Sequence, residues 1–482
     1  PGATGVSPVP SPKHGSPPGA TGVPPVPSPQ RPTANYVSPV PSPRHWSHHL
    51  TVLFSFLACM TSGSALPAQE AAEQWIDKNL QPTVELYQHF HRNPELSFHE
   101  EQTAARVAEE LQKAGCDVVT GVGGHGVVGL LENGEGPTVM WRSDLDALPV
   151  VEATGLEYAS TVRTENDEGV EVGVMHACGH DVHITNLIAT ARFFSSHRDQ
   201  WQGTLMFVGQ PAEERGAGAR AMLEDGIFTR IRRPDFALAL HVDATLPAGM
   251  VGYRSGYALA NVDSCDITVK GRGGHGSFPQ GCIDPIVQAA ELVMAIQTIV
   301  SREVSPLEPA VVTVGSIHGG TKHNIIPDSC HLQLTIRSYS AEVRAKLKEG
   351  IIRRANAIAE AYDAPEPEIV YSEGTPAMFN DEALVDRVVP AIAAELGEEK
   401  LVLADKSMGG EDFSRYGIAG VPIFMFRLGS VEPERLDEFA RRGTTPPSLH
   451  SAEYYPAAEQ TLRTGFLATV SAIMELIGKH SR

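Results

Sequence analysis

Five short apolar runs, at 127–131, 138–141, 205–208, 236–240 and 422–426, alternate along the chain with helix-like stretches at 102–114, 184–195 and 457–477. Apolar strands interleaved with helices imply an α/β sandwich, because helices must cover a sheet that is apolar on both faces. Between the fourth and fifth runs the pattern changes. The segment 258–370 reads as a strand at 265–270, a helix at 283–300, strands at 310–315 and 330–337, and a charged amphipathic helix at 341–362. That order fits a small α+β domain with two helices on one sheet face. The chain therefore divides into a discontinuous α/β core, 69–257 and 371–482, interrupted by an inserted α+β domain. A core of this size does not depend on disulfides.

The densest chemistry is His176-Ala177-Cys178-Gly179-His180-Asp181-Val182-His183. Thiolate and neutral imidazole suit borderline metals such as zinc, and Cys178 and His180 can reach one centre from a tight turn. A loop with structural histidines is the competing account. Glu213 and Glu214 follow the 205–208 run, where a buried strand ends. Adjacent carboxylates point in different directions there, so one can bind a metal while the other faces a substrate, and sites in open α/β sheets gather at such strand ends. The run 236–240 delivers His241 in the same way, and His450 is a further candidate near the C-terminus.

With these segments in view, the chain resembles the M20 family of metallopeptidases, in particular the branch of hippurate hydrolases, auxin-conjugate hydrolases and N-acyl-amino-acid deacylases. The resemblance rests on seven segments in order: 141–149 (WRSDLDALP), the Cys178/His180 tract, Glu213-Glu214, the His241 strand, 273–277 (GGHGS), 323–327 (HNIIP) and 408–413 (MGGEDF). It implies a zinc-peptidase-like α/β catalytic domain with an inserted α+β lid that carries a homodimer contact. It further implies that Cys178, His180, Glu214, His241 and His450 hold two divalent ions, zinc or manganese with cobalt or nickel as alternatives, and that Glu213 is the general acid/base. His275 and Asn324 match residues that polarise the scissile carbonyl, the His often in the partner subunit's site. Arg337 matches one that pairs with the substrate carboxylate, and Glu411 is a candidate for contact with the substrate. Where the broader family has a metal-binding His two residues before an Asp, this chain has Asp144 before Asp146, and Cys178 looks like the replacement ligand. Asp144 and Asp146 then orient ligands from behind; a structural turn is the competing account. Asp181 and His183 cap or face the following helix. Glycines 273, 274, 276, 409 and 410 are expected to permit turns.

The expected activity is hydrolysis of the amide bond in an N-acyl amino acid or similar small conjugate. Dipeptidase or carboxypeptidase action is the alternative, and a non-catalytic binding protein a more distant one. The formal charge of −20 disfavours nucleic acid and anionic membranes as partners. Six cysteines at irregular spacing form no disulfide framework. Residues 1–49 are a Pro-rich leader with repeats, expected to be disordered. Residues 50–68 have the form of a secretory signal, too short to span a membrane. Export to a periplasm or the medium is expected if that signal is real, and a cytoplasmic enzyme otherwise.

Overall fold

The computed structural model describes residues 68–479. The Pro-rich leader and the signal up to residue 67 lie outside them, and residue 68 begins the first helix, Ala68–Arg92. This helix opens the expected core and is fastened to its last helix by Trp75, which stacks on Phe466 at 4.9 Å.

The main sheet has eight strands in the spatial order Asp117–Val122, Gly126–Asn133, Gly203–Gln210, Thr138–Asp144, Phe236–Pro247, Ile423–Val431, Val251–Tyr253 and Leu401–Leu403. The four central strands, from Gly203–Gln210 to Ile423–Val431, run parallel. All five expected apolar runs are in this sheet. Gly203–Gln210 and Thr138–Asp144 are buried along their whole length, which is the signature of parallel strands covered on both faces. The helices His180–Ser196 and Ala458–Ile477 pack on one face through Leu187, Phe193, Phe466 and Ile473. The other face is closed by a smaller cluster that includes Met206, Met222, Tyr416 and Met425.

One expected strand end is not where the sequence suggested. The strand carrying His241 continues to Pro247, because residues beyond the histidine keep pairing with the Ile423–Val431 strand as far as Val431↔Pro247. His241 therefore sits inside a strand, opposite Arg427.

The inserted domain is a four-stranded antiparallel sheet in the order Ala310–Gly319, Ser329–Ser338, Asn261–Lys270, Glu368–Glu373. Its last strand was not anticipated and runs past residue 370. Helices Pro285–Arg302 and Ala341–Ala361 cover one face. The first is started by Asp284, whose carboxylate accepts the Ile286 and Val287 N–H groups ahead of a proline at the first helical position. Alternate residues Cys265, Ile267 and Val269 face this helical layer. Val262, Ser264 and Arg337 face the other way, over the main sheet's strand ends. Among the described residues no helix is long and apolar enough to cross a membrane.

Candidate metal centre

Gly179 makes the first turn of the site possible. Its φ is +78°, and a Cβ there would lie 2.6 Å from Val242 Cγ2, so only glycine lets the chain pass from Cys178 into the helix that His180 opens. His180 is fully buried. Its Nδ1 donates to the Asp146 main-chain oxygen at 2.8 Å, which fixes the ring proton there and leaves Nε2, buried, with no hydrogen-bond partner. The Asp146 carboxylate accepts from Ser97 Oγ at 2.6 Å and from the Glu214 N–H at 3.0 Å, so one aspartate positions both His180 and Glu214.

Glu213 and Glu214 follow the Gly203–Gln210 strand across Ala212, a non-glycine residue with φ +48°. Such strain is tolerated where the surrounding structure dictates it. Glu214 Oε1 is also buried without a partner; it lies 3.8 Å from His180 Nε2 and 3.5 Å from His450 Nε2. His241 donates from Nδ1 to the Val242 oxygen at 2.8 Å, which frees its Nε2, 3.6 Å from Cys178 Sγ. His450, at φ +70°, closes the group with Nε2 3.3 Å from Cys178 Sγ.

Cys178, His180 and His241 each offer a ligand atom within 4.8 Å of the others, and so do Cys178, Glu214 and His450. The two groups share Cys178. Unpartnered buried Nε2 and Oε1 atoms aimed at one another, beside a thiol and two further imidazoles, are what a divalent ion would complete. The charge balance points the same way. Burial disfavours the His180 imidazolium, yet Asp144, Asp146 and Glu214 outweigh it and raise its pKa to about 10. Burial first, then Asp146 and Asp144 against the lowering pull of His180, pushes Glu214 up to about 7. The Cys178 thiol is held well above its ordinary value by burial and by Glu214, Glu213 and Asp144. The cluster holds more negative charge than its own cations neutralise.

Behind the candidate ligands lies a charged network in which the expected Asp144 and Glu411 are joined by Arg142, His183 and Asp412, whose part the sequence did not disclose. Asp144 accepts from His183 Nδ1 and from Arg142 Nη1, both at 2.7 Å. His183 Nε2 accepts the Val242 N–H at 3.0 Å, so both of its ring nitrogens are committed. Arg142, 2% exposed, also donates to Gln210 at 3.1 Å, Glu411 at 3.0 Å and Asp412 at 3.2 Å. An arginine directly after the apolar run 138–141, ahead of Ser143 and Asp144, was its signal in the sequence. Glu213 is held well above the ordinary carboxylate range by burial, then by Glu411, Glu214 and Asp412.

These groups open onto a cavity of about 590 Å³ lined by Cys178, Glu213, Glu214, His241, Glu411 and His450 on the core side and by Val262, Ser264 and Arg337 on the lid side. Two expected site residues are not there. His275 and Asn324 are both exposed and meet at a short two-stranded ladder of the inserted domain, where His275 pairs with Ile325 and the Gly276 N–H donates to the Asn324 oxygen at 2.9 Å. They do not line the cavity of their own chain. The glycines expected to turn there do not adopt left-handed backbone; Gly273 instead lets its strand close on Ile326, whose oxygen a Cβ would meet at 2.7 Å.

A set of thiol, imidazole and carboxylate donors, buried at Cys178 and His180 and reaching solvent at His450, gathered on the parallel strands of an α/β sheet and open to a cavity of small-molecule size, has the chemistry of a metallohydrolase site. The sequence matches the model of Peptidase family M20/M25/M40 over residues 140–441. It is 35% identical over 401 residues to thermostable carboxypeptidase 2 of Saccharolobus solfataricus, covering 82% of this chain and 94% of that protein. It is 35% identical over 357 residues to N-acetylcysteine deacetylase of Bacillus subtilis, covering 72% and 89%. A solved structure of a dinuclear metal-binding peptidase of the M20 family from Bacillus subtilis matches with a TM-score of 0.66 at 28% identity, over 83% of this chain and 99% of that one. The chain belongs to this peptidase family, and it is a metal-dependent hydrolase of amide bonds.

Proposed function

We propose that this amidohydrolase cleaves N-acyl amino acids with Glu213 as general acid/base and two divalent ions held by Cys178, His180, Glu214, His241 and His450. The supporting observation is the division of labour between adjacent carboxylates. Glu214 turns an unpartnered oxygen to the imidazoles, while Glu213 sits against Glu411 and Asp412 and keeps its proton above the usual carboxylate range. The ions supply an acidified water and polarise the carbonyl. Thiolate and imidazole donors favour zinc, with manganese as the alternative. Glu213 takes the proton of the attacking water and hands it to the departing nitrogen, a role suited to a carboxyl that burial and the neighbouring Glu411, Glu214 and Asp412 make more basic than usual. Arg337, on the roof, pairs with the amino-acid carboxylate through its planar fork.

Exposed apolar side chains of the inserted domain, Phe278, Ile286, Met294, Ile317 and Ile325, support a homodimer through this domain. In that dimer His275 and Asn324 of one protomer polarise the carbonyl bound by the other. The test is Glu213→Gln in the metal-loaded enzyme, with N-acyl amino acids and unblocked dipeptides as substrates. Turnover falls by about 100-fold or more while metal content is retained. An active variant refutes the role of Glu213, and cleavage of dipeptides alone moves the activity to the carboxypeptidase side of the family.

A further inference from the structure

We propose that the cavity selects a substrate carrying two carboxylates, the second of them held by Arg427. The inference rests on the amidohydrolase reading above and names its substrate class. Arg427 stands in the Ile423–Val431 strand between Phe426 and Leu428, both buried, and lies directly opposite His241 in the parallel ladder. It lines the cavity beside the candidate ligands.

Its guanidinium is poorly satisfied. The nearest carboxylate oxygen, Asp243 Oδ2, is 3.6 Å from Nη1, beyond hydrogen-bond range. The other oxygen of Asp243 is committed to the N–H and hydroxyl of Thr245, at 2.8 and 2.7 Å. Among the described residues the Arg427 guanidinium donates no hydrogen bond to the protein, though the side chain is only 20% exposed. Arg337, across the cavity on the lid sheet, is similar: its Nε donates to Thr335 Oγ1 at 3.1 Å, and it pairs with no carboxylate among the described residues. Arg215 also reaches the cavity but is already paired with Asp167 at 2.6 Å.

Two incompletely paired guanidiniums thus approach from opposite walls, in a protein of net charge −20. The buried Thr375 hydroxyl on the lining has no partner either. The single carboxylate of a simple N-acyl amino acid can answer one guanidinium. A substrate that fills the cavity and leaves the other desolvated is penalised, whereas one that presents a second carboxylate gains a fork-like pair. The second carboxylate comes either from an acidic amino acid or from a dicarboxylic acyl group.

The experiment compares N-acetyl-alanine, N-acetyl-glutamate and N-succinyl-alanine on the metal-loaded full-length protein, in wild type and in Arg427→Met. Turnover is measured beside calorimetric binding. The expected result is that one of the two dianions exceeds N-acetyl-alanine in kcat/KM by about tenfold or more, chiefly through KM. Which of them does so identifies the source of the second carboxylate. In Arg427→Met that ratio falls towards one. Equal kcat/KM for all three substrates in the wild type overturns the inference and needs no variant. So does a uniform loss across the panel in Arg427→Met, which marks a structural arginine. If none of the three is hydrolysed, the amidohydrolase reading is what fails, and the ratio of binding constants then decides for or against the dianion preference.

Discussion

His91, at the end of the first helix, offers a test of how the core behind the metal centre is held. The ring is 1% exposed. Its Nδ1 lies 2.7 Å from Asp181 Oδ2 and its Nε2 3.1 Å from Glu152 Oε1. Ionised carboxylates only accept, so both nitrogens carry protons and the ring is an imidazolium between two anions. Burial alone would lower its pKa, but the bonds to Asp181 and Glu152 outweigh burial and raise it from 6.5 to about 9. A group whose folded pKa exceeds its unfolded value stabilises fully below the unfolded value and loses that contribution as pH rises through the folded one. Over 6.5 to about 9, at roughly 1.36 kcal/mol per unit, the loss is about 3 kcal/mol. Unfolding entropy of roughly 2.1 cal/mol/K per residue, over a body of about 400 residues, converts this to a fall in Tm of about 4 °C. Thermal melts of the metal-loaded protein and of His91→Gln, between pH 6 and pH 10, isolate the effect as the difference between the two curves. The wild type is expected to lose its advantage across that window. Parallel curves refute the imidazolium assignment.

Gly179→Ala combines a left-handed backbone with a contact of 2.6 Å to Val242 Cγ2. It is expected to cost about 1–3 kcal/mol and, by displacing Cys178 and His180, to lower the bound metal measured by atomic emission more than a surface control does. Arg142→Met leaves Asp144, Glu411 and Asp412 without their shared cation, at a cost of about 3–5 kcal/mol in denaturant melts. Arg142→Lys is expected to recover little of it, because one ammonium cannot reach four acceptors in the plane of a guanidinium. A lysine variant as stable as wild type would show that charge alone matters there.

The candidate ligand segments were legible because each motif is local in sequence: the Cys178/His180 tract, the Glu213-Glu214 pair after an apolar run and the His241 strand each stand out alone, and the resemblance joins them with His450. The α+β insertion was legible for the same kind of reason, since the alternation in Asn261–Lys270 and Ser329–Ser338 has the period of a half-covered sheet. Illegible features depend on pairing across long separations. His91 meets Asp181 and Glu152 at 90 and 61 residues' distance, and the reach of the strand beyond His241 is set by Val431. His275 and Asn324 stand on the lid surface of their own chain, in line with the resemblance, which places the His in the partner subunit's site.

Arg142 and Arg427 give a similar signal in sequence, an arginine directly after an apolar run, and both stand in parallel strands of the main sheet. Their fates diverge because of neighbours far along the chain. Arg142 is met by Glu411 and Asp412, which lie 269 and 270 residues away and converge on its two outer edges together with Asp144 and Gln210. Its hydrogen-bonding capacity is spent inside the protein, and its effect on the site is to hold carboxylates in place. Arg427 meets only Asp243, at a distance too long for a hydrogen bond, so its donors remain available at the cavity wall. A guanidinium withdrawn from water, fully at Arg142 and in part at Arg427, must be balanced by something. When the protein supplies the acceptors the residue is structural, and when it does not, the missing acceptor is a property of what binds.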